Sequence, residues 1–266
     1  MNAPEKLHLP DVQSTPDQRQ LAIQRVGVRG LRYPLKWVDE AGQVQHTVAR
    51  LEMTVALPPE VKGTHMSRFV ELLEAETGPV DLARLGALAT DMLTRLDAQA
   101  GRIEMEFPFF LRKAAPVSGV ESLLDMDARI VVEKQGDAPA SIELCVVVPV
   151  TSLCPCSRKI SAYGAHNQRS HLTLSAVLRA DMSLETLVRI AEEEASCAVF
   201  GLLKRPDEKW VTERAYDNPK FVEDLVRDVA LRLKNEPRIA RWSIASENFE
   251  SIHNHSAYAL IEGHNV

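Results

Sequence analysis

The segment TSLCPCSRKISAYGAHNQRSH, residues 151–171, holds Cys154, Cys156, His166 and His171, two of the chain's four cysteines and two of its eight histidines. Thiolate and imidazole are ligands that zinc and similar divalent ions take, and a catalytic centre of that kind leaves one position open for water. Pro155 removes an amide donor between the cysteines and biases Cys154 toward extended backbone. Both thiols are therefore expected at the end of a strand that begins near Ile142. His166 follows across a turn containing Gly164, and His171 lies just before the next strand. The C-x-C spacing is not the C-x-x-C of structural zinc sites. Residue types alone leave a metal centre, other chemistry and simple crowding all open.

Two later stretches carry further reactive groups. LLKRPDEKWVTERAYDNPKFVED, residues 202–224, gathers Lys204, Arg205, Asp207, Glu208 and Lys209. It reads as a long charged loop between two helices, and loops of that length are functional or simply solvated. SENFESIHNHS, residues 246–256, brings Glu247, Glu250, His253 and His255 to a hairpin. His253 and His255, two apart on a strand, are expected to point the same way. Cys145, within an apolar strand, and Cys197, late in a helix, read as core packing. Glu192, Glu193 and Glu194 read as a solvated helix face, and Asp125 and Asp127 as outward positions on a strand. Neither a P-loop nor a G-x-G-x-x-G motif occurs.

These groups need elements to position them, and apolar periodicity supplies candidates. Period-two alternation marks strands at Ala49–Val55, Ile103–Phe109, Ala128–Val132, Ile142–Val148 and Leu172–Leu178, with weaker ones near Ile23–Tyr33, Ile239–Ala245 and Ser256–Ile261. Helical period links Met66, Phe69, Val70 and Leu73, with Thr64 as the expected cap, and then Leu82, Leu85, Ala89, Met92, Leu93 and Leu96. A third stripe is Leu184, Leu187, Val188, Ala191 and Ala195, capped near Ser183. A fourth is Val222, Leu225, Val226, Val229 and Leu233, with Asn218-Pro219 as its start signal. The order β-β-α-α-β-β thus occurs twice. The expected fold class is α+β: tandem ββααββ modules over 21–138 and 139–266, antiparallel sheets with helices on one face, and a flexible polar arm over 1–20. Open sheets leave edges, so closure between subunits is expected.

The 266-residue composition, 45% hydrophobic and 26% charged with a net charge of −6, is that of a globular protein and disfavours a nucleic-acid surface. No apolar run approaches membrane length and no signal peptide is evident, so neither a membrane nor a nucleic acid is an expected partner. Four cysteines make no disulfide framework, which fits a cytoplasmic setting.

PVTSLCPCSRKISAYGAHNQRSH, GLLKRPDEKWVTERAYDNPKFVED and SENFESIHNHSAYA together resemble the type IB GTP cyclohydrolases. ARLEMTVALPPEVKGTHMSRFVELLE and FPFFLRKAAPVSGVESLLD in the first half are similar to the same family. The resemblance implies a tunnel fold whose sheets close into barrels across subunits of a homotetramer. It implies conversion of GTP and water to 7,8-dihydroneopterin triphosphate and formate, the opening step of tetrahydrofolate synthesis, with zinc, manganese or iron as the metal. Carried over by motif, Cys154 is the catalytic cysteine and a metal ligand, His166 and Glu208 are the other ligands, and Glu223 anchors the purine. His253 is expected to bind metal or transfer protons. Lys204, Arg205 and Lys209 are candidates for the triphosphate, with Lys113 and Arg68 as further ones. Another tunnel-fold enzyme, a deazapurine nitrile reductase using its cysteine and NADPH, is the alternative.

Overall fold

Antiparallel pairing runs unbroken from one edge of a single sheet to the other. The computed structural model describes residues 13 and 15–265; residues 1–12 and 14, most of the expected N-terminal arm, lie outside the described residues. Strands β1 (Ile23–Val38), β2 (Val44–Leu57), β3 (Ala100–Ala114) and β4 (Glu121–Gln135) form half of the sheet. Strands β5 (Ser141–Leu153), β6 (Asn167–Leu178), β8 (Ile239–Asn248) and β9 (Ala257–His264) continue it in the order β1-β2-β3-β4-β5-β6-β8-β9. A two-residue strand, β7 (Cys197–Ala198), pairs with β5 beside this path. In each half the second and third strands are neighbours joined through helices: α1 (Ser67–Ala75) and α2 (Leu82–Leu96) between β2 and β3, and α4 (Leu184–Glu194), α5 (Arg205–Asp217) and α6 (Val222–Lys234) between β6 and β8. A short helix, α3 (Pro155–Ile160), sits between β5 and β6.

The alternating residues explain which face the helices cover. Leu51, Met53 and Val55, Ile103, Met105 and Phe107, Leu144, Val146 and Val148, and Leu172, Leu174 and Ala176 are all buried in one core with Leu85, Leu187, Val229 and their helical neighbours. Burial of such side chains contributes about 1.5–3 kcal/mol each, and a one-residue slip of register would turn each row to the opposite face. Among the described residues no helix is long and apolar enough to cross a membrane.

Several sequence expectations change in detail. Thr64 does not cap α1: the residue before the helix is Met66, without a side-chain hydrogen bond, and Thr64 is buried. Asp81 caps α2 and Ser183 caps α4 by accepting from Arg84 N–H and Thr186 N–H. Asn218 does not open a helix. It closes α5, and its side chain donates to Ala195 O at 2.8 Å, while α6 begins at Val222 with Asp224 accepting from Phe221 N–H. Residues 205–217, expected as loop, are helical. Pro206 sits in the first turn, where a missing amide is harmless, and the helix lacks the broad apolar stripe that would have announced it. Cys197 is buried on strand β7 rather than in a helix. Glu192 is not solvated: Lys113 Nζ reaches it and also donates to Val199 O. His253 and His255 lie in the loop between β8 and β9, not on a strand.

Candidate active site

Three chain segments converge where β5 ends. Leu153 N–H donates to Ser196 Oγ at 3.2 Å, and Leu153 O accepts from Lys220 N–H at 3.1 Å, just before α6. Cys154 N–H donates to His166 O at 3.2 Å, so the thiol and the imidazole belong to adjacent backbone positions. Ser157 ties them further: its N–H points at Cys154 Sγ at 3.5 Å, and its Oγ donates to Cys154 O and accepts from His166 N–H. Gly164, at φ +112°, allows the intervening turn, a conformation that side chains with a Cβ disfavour.

The His166 ring is oriented by a ladder of polar side chains that sequence reading missed. Gln168 lies opposite Ser152 in the β5–β6 register. Its amide nitrogen faces Ser152 Oγ at 3.1 Å and Glu250 Oε1 at 3.5 Å. A carboxylate only accepts, so that end must be the NH₂, and Oε1 therefore faces His166 Nδ1 at 3.1 Å. In the neutral ring this bond selects the tautomer with its proton on Nδ1 and a lone pair on Nε2, the form in which imidazole binds metals. Ser152 and Ser170 continue the ladder with a buried 2.7 Å hydrogen bond. The signal was in the sequence: His166, Gln168 and Ser170 alternate, as residues sharing one face of a strand do.

Helix α5, which carries Glu208, packs against this region. Val211 and Ala215 pack with Leu153, Ala165 and Cys197. Positions 208, 211 and 215 share one helical face, so Glu208 lies one turn along the face that contacts the neighbours of Cys154 and His166. The donor types suit a divalent ion: a thiol, an imidazole with one nitrogen already held, and a carboxylate. Among the described residues, however, no three His, Cys, Asp or Glu side chains stand close enough to hold an ion as they are. Asp207, expected as part of a charge run, is fully buried. Burial alone would raise its carboxyl, but hydrogen bonds from the hydroxyl and N–H of Ser118 and the N–H groups of Lys204 and Val117 hold it well below the ordinary range.

The remaining candidates surround this junction. Glu223 is exposed in the first turn of α6, two residues after Phe221 and three after Lys220, whose amide is tied to Leu153. Lys204 and Arg205 are exposed at the start of α5, and Lys209 pairs with Glu213. Lys113 is committed inside the protein, its ammonium 4.3 Å from the Phe200 ring centroid. Arg68 donates to Arg95 O beside α2. The loop after β8 folds over His166: Ser251 Oγ lies 3.5 Å from its Nδ1, and Phe249 packs edge-on to His171. His253 stacks on His255 with ring centroids 5.1 Å apart, both exposed. Among the described residues the site therefore joins Cys154 with His166 and leaves both Glu208, on the neighbouring helix, and His253, in the loop after β8, exposed and outside any ligand cluster.

The fold matches solved urate oxidases. Uricase from Arthrobacter globiformis aligns over 91% of this chain and 93% of its own, with a TM-score of 0.51 and 10% identity. Urate oxidase from Bacillus sp. TB-90 aligns over 91% and 100%, with a TM-score of 0.51 and 9% identity. At such identities the likeness concerns the fold alone, which is the tunnel fold. Sequence comparison goes further. A protein from Dechloromonas aromatica described as GTP cyclohydrolase FolE2 1 is 71% identical over the full length of both chains. GTP cyclohydrolase FolE2 2 from Cupriavidus metallidurans is 61% identical over 96% of this chain and 94% of its own, and GTP cyclohydrolase FolE2 from Burkholderia multivorans is 62% identical over the same shares. Residues 9–259 match the family model described as type I GTP cyclohydrolase folE2, and the chain belongs to that family.

Proposed function

We propose that the chain is a metal-dependent GTP cyclohydrolase, converting GTP and water to 7,8-dihydroneopterin triphosphate and formate as the first step of tetrahydrofolate synthesis. The observation that carries this reading is the hydrogen-bonded adjacency of Cys154 and His166 at the end of β5 in a member of this family. Cys154, His166 and Glu208 would hold one divalent ion. A soft thiolate beside a hard carboxylate suits zinc, manganese or iron. Such an ion lowers the pKa of a water it binds to about 7, which supplies a nucleophile at neutral pH.

The chain's own residues have separate tasks. Guanine presents N1–H and a 2-amino group side by side, and the Glu223 carboxylate can accept from both. Adenine lacks that edge, so ATP would leave a carboxylate unpaired. The first turn of α6 sets the Glu223 carboxylate at the positive end of the helix dipole. Lys204 and Arg205 offer cations to the triphosphate. His166 presents Nε2 because Gln168 holds the other nitrogen. His253, in the loop over the site, serves as the proton carrier for ring opening and reclosure, work for which histidine is suited near neutrality.

The two modules, 21–138 and 139–266, each supply four long strands and leave edges at β1 and β9. Exposed Tyr258 and Leu260 on β9 fit an edge covered by another subunit. The proposed assembly is a cytoplasmic homotetramer with sheets closed into barrels, and the two open edges support closure of that kind. Family membership favours hydrolysis over nitrile reduction. Incubating metal-loaded protein with GTP should release one formate per GTP consumed, and ATP should release none. Folded, metal-loaded protein that yields no formate would sink the reading, and NADPH consumption with 7-cyano-7-deazaguanine would mark the reductase instead.

A further inference from the structure

We infer that Asp207 is a positioning residue: its buried carboxylate clamps the start of α5, and with it Glu208, to the tip of the β3–β4 hairpin in the other half of the chain. All four acceptor positions of the carboxylate are filled. Oδ1 accepts from Val117 N–H and Ser118 N–H, both at 2.8 Å. Oδ2 accepts from Ser118 Oγ at 2.6 Å and from Lys204 N–H at 2.8 Å. Lys204 immediately precedes α5, so the last bond caps the helix while the other three reach across to residues some ninety positions earlier in sequence. The hairpin tip is itself rigid. Ala115 N–H donates to Val120 O and Gly119 N–H to Ala115 O, with Gly119 at φ +69°.

The same hairpin holds the segment leading into α5 at two further points. Lys113, at the end of β3, donates to Val199 O and lies over the Phe200 ring. Gly201 runs so close to β4 that a Cβ there would stand 2.5 Å from Leu123 O. Residues 199–207 are thus strapped to the first half along their length, with Asp207 as the final tie before Glu208. The strap makes the first half responsible for where a carboxylate of the second half sits. Glu208 itself is exposed and follows Asp207 directly, so releasing the tie frees the helix end that carries it.

The inference rests on the reading of Glu208 as a metal ligand, and the test separates the two. Asp207→Asn keeps the shape but replaces one acceptor oxygen by NH₂, which opposes either Lys204 N–H or the two hairpin amides. Ser118→Ala is the milder variant and keeps α5 capped. Mn²⁺ binding to the metal-free full-length protein is titrated for both, together with kcat, KM for GTP and thermal unfolding. Asp207→Asn should weaken Mn²⁺ binding about 10–100-fold, as loss of groups that orient ligands does. Ser118→Ala should weaken it about 3–10-fold, and KM for GTP should move less than twofold in each. The Ser118 effect should shrink in the Asp207→Asn background, because the two side chains share an interaction. If Ser118→Ala and any folded Asp207→Asn bind Mn²⁺ within twofold of wild type while Glu208→Ala does not, the clamp is wrong and the ligand assignment stands. If Glu208→Ala also binds normally, the ligand assignment fails and the clamp with it.

Discussion

Gln168 Oε1 lies 3.1 Å from His166 Nδ1, and the far end of the same amide is fixed by Ser152 Oγ and the Glu250 carboxylate. The His166 ring is therefore held at Nδ1 by Gln168 of β6, which is itself fixed by Ser152 of β5 and Glu250 of the loop after β8, and Nε2 is left free to bind.

Gln168→Ala should weaken metal affinity or turnover about 10–100-fold, the usual effect of removing the partner that holds a ligating histidine. The fold should survive, because Gln168 is only half-buried. Metal titration together with steady-state kinetics checks this, and unchanged values in both would show that the hydrogen bond is incidental.

Glu223→Ala should raise KM for GTP and lower kcat/KM by about 5–150-fold, the kinetic equivalent of 1–3 kcal/mol for a lost paired acceptor. The fold should hold, since Glu223 is exposed on α6. The measurement is kcat/KM for GTP beside that for inosine triphosphate, which lacks the 2-amino group. Wild type should favour GTP and the variant should discriminate little. Equal discrimination by both would remove Glu223 from base recognition.

Much of this was legible because it is periodic. Alternation at Ile103–Phe109 and Ile142–Val148 marks strands whose one face is core, and the stripe Leu184–Ala191 marks a helix that needs a covered side. Cys154 and His166 stood out by residue type, but their roles came from the resemblance to the family and not from their spacing. α5 was not, because a helix held by only Val211 and Ala215 has almost no apolar signature. Asp207 and Glu208 looked alike in a charged run, yet one is fully buried and the other exposed. That difference depends on Val117 and Ser118, whose arrival beside Asp207 is decided by the sheet and by nothing local. Lys113 and Glu192 illustrate the same point: one reads as a phosphate-binding candidate and the other as a solvated charge, and the fold brings them together as a largely buried pair.

Glu185, buried in the first turn of α4, accepts from Glu40 N–H at 3.0 Å. Burial raises its carboxyl above the ordinary value, reinforced by negative charge at Glu40 and Asp39 and opposed by the N–H groups of Glu40 and of Glu185 itself. Ser183 and Arg189, both bonded to Glu40, complete the surroundings. A raised carboxyl contributes stability below its unfolded pKa of about 4.3, and that contribution is lost as pH rises through the folded value. Glu185→Gln keeps an acceptor for Glu40 N–H but cannot ionise. Its melting temperature relative to wild type should therefore rise between pH 4.5 and pH 8. A difference that stays constant over that range would contradict the assignment.

The central claim is that Cys154, His166 and Glu208 share one ion. Elemental analysis of wild type and of Cys154→Ala, His166→Ala and Glu208→Ala, each loaded with the same metal, desalted and checked for folding by circular dichroism, tests it most directly. The account predicts one ion per chain in wild type and loss of that ion, with formate release from GTP, in all three folded variants. Full metal content in any one of them would show that its side chain is no ligand, and full content in all three would contradict the account.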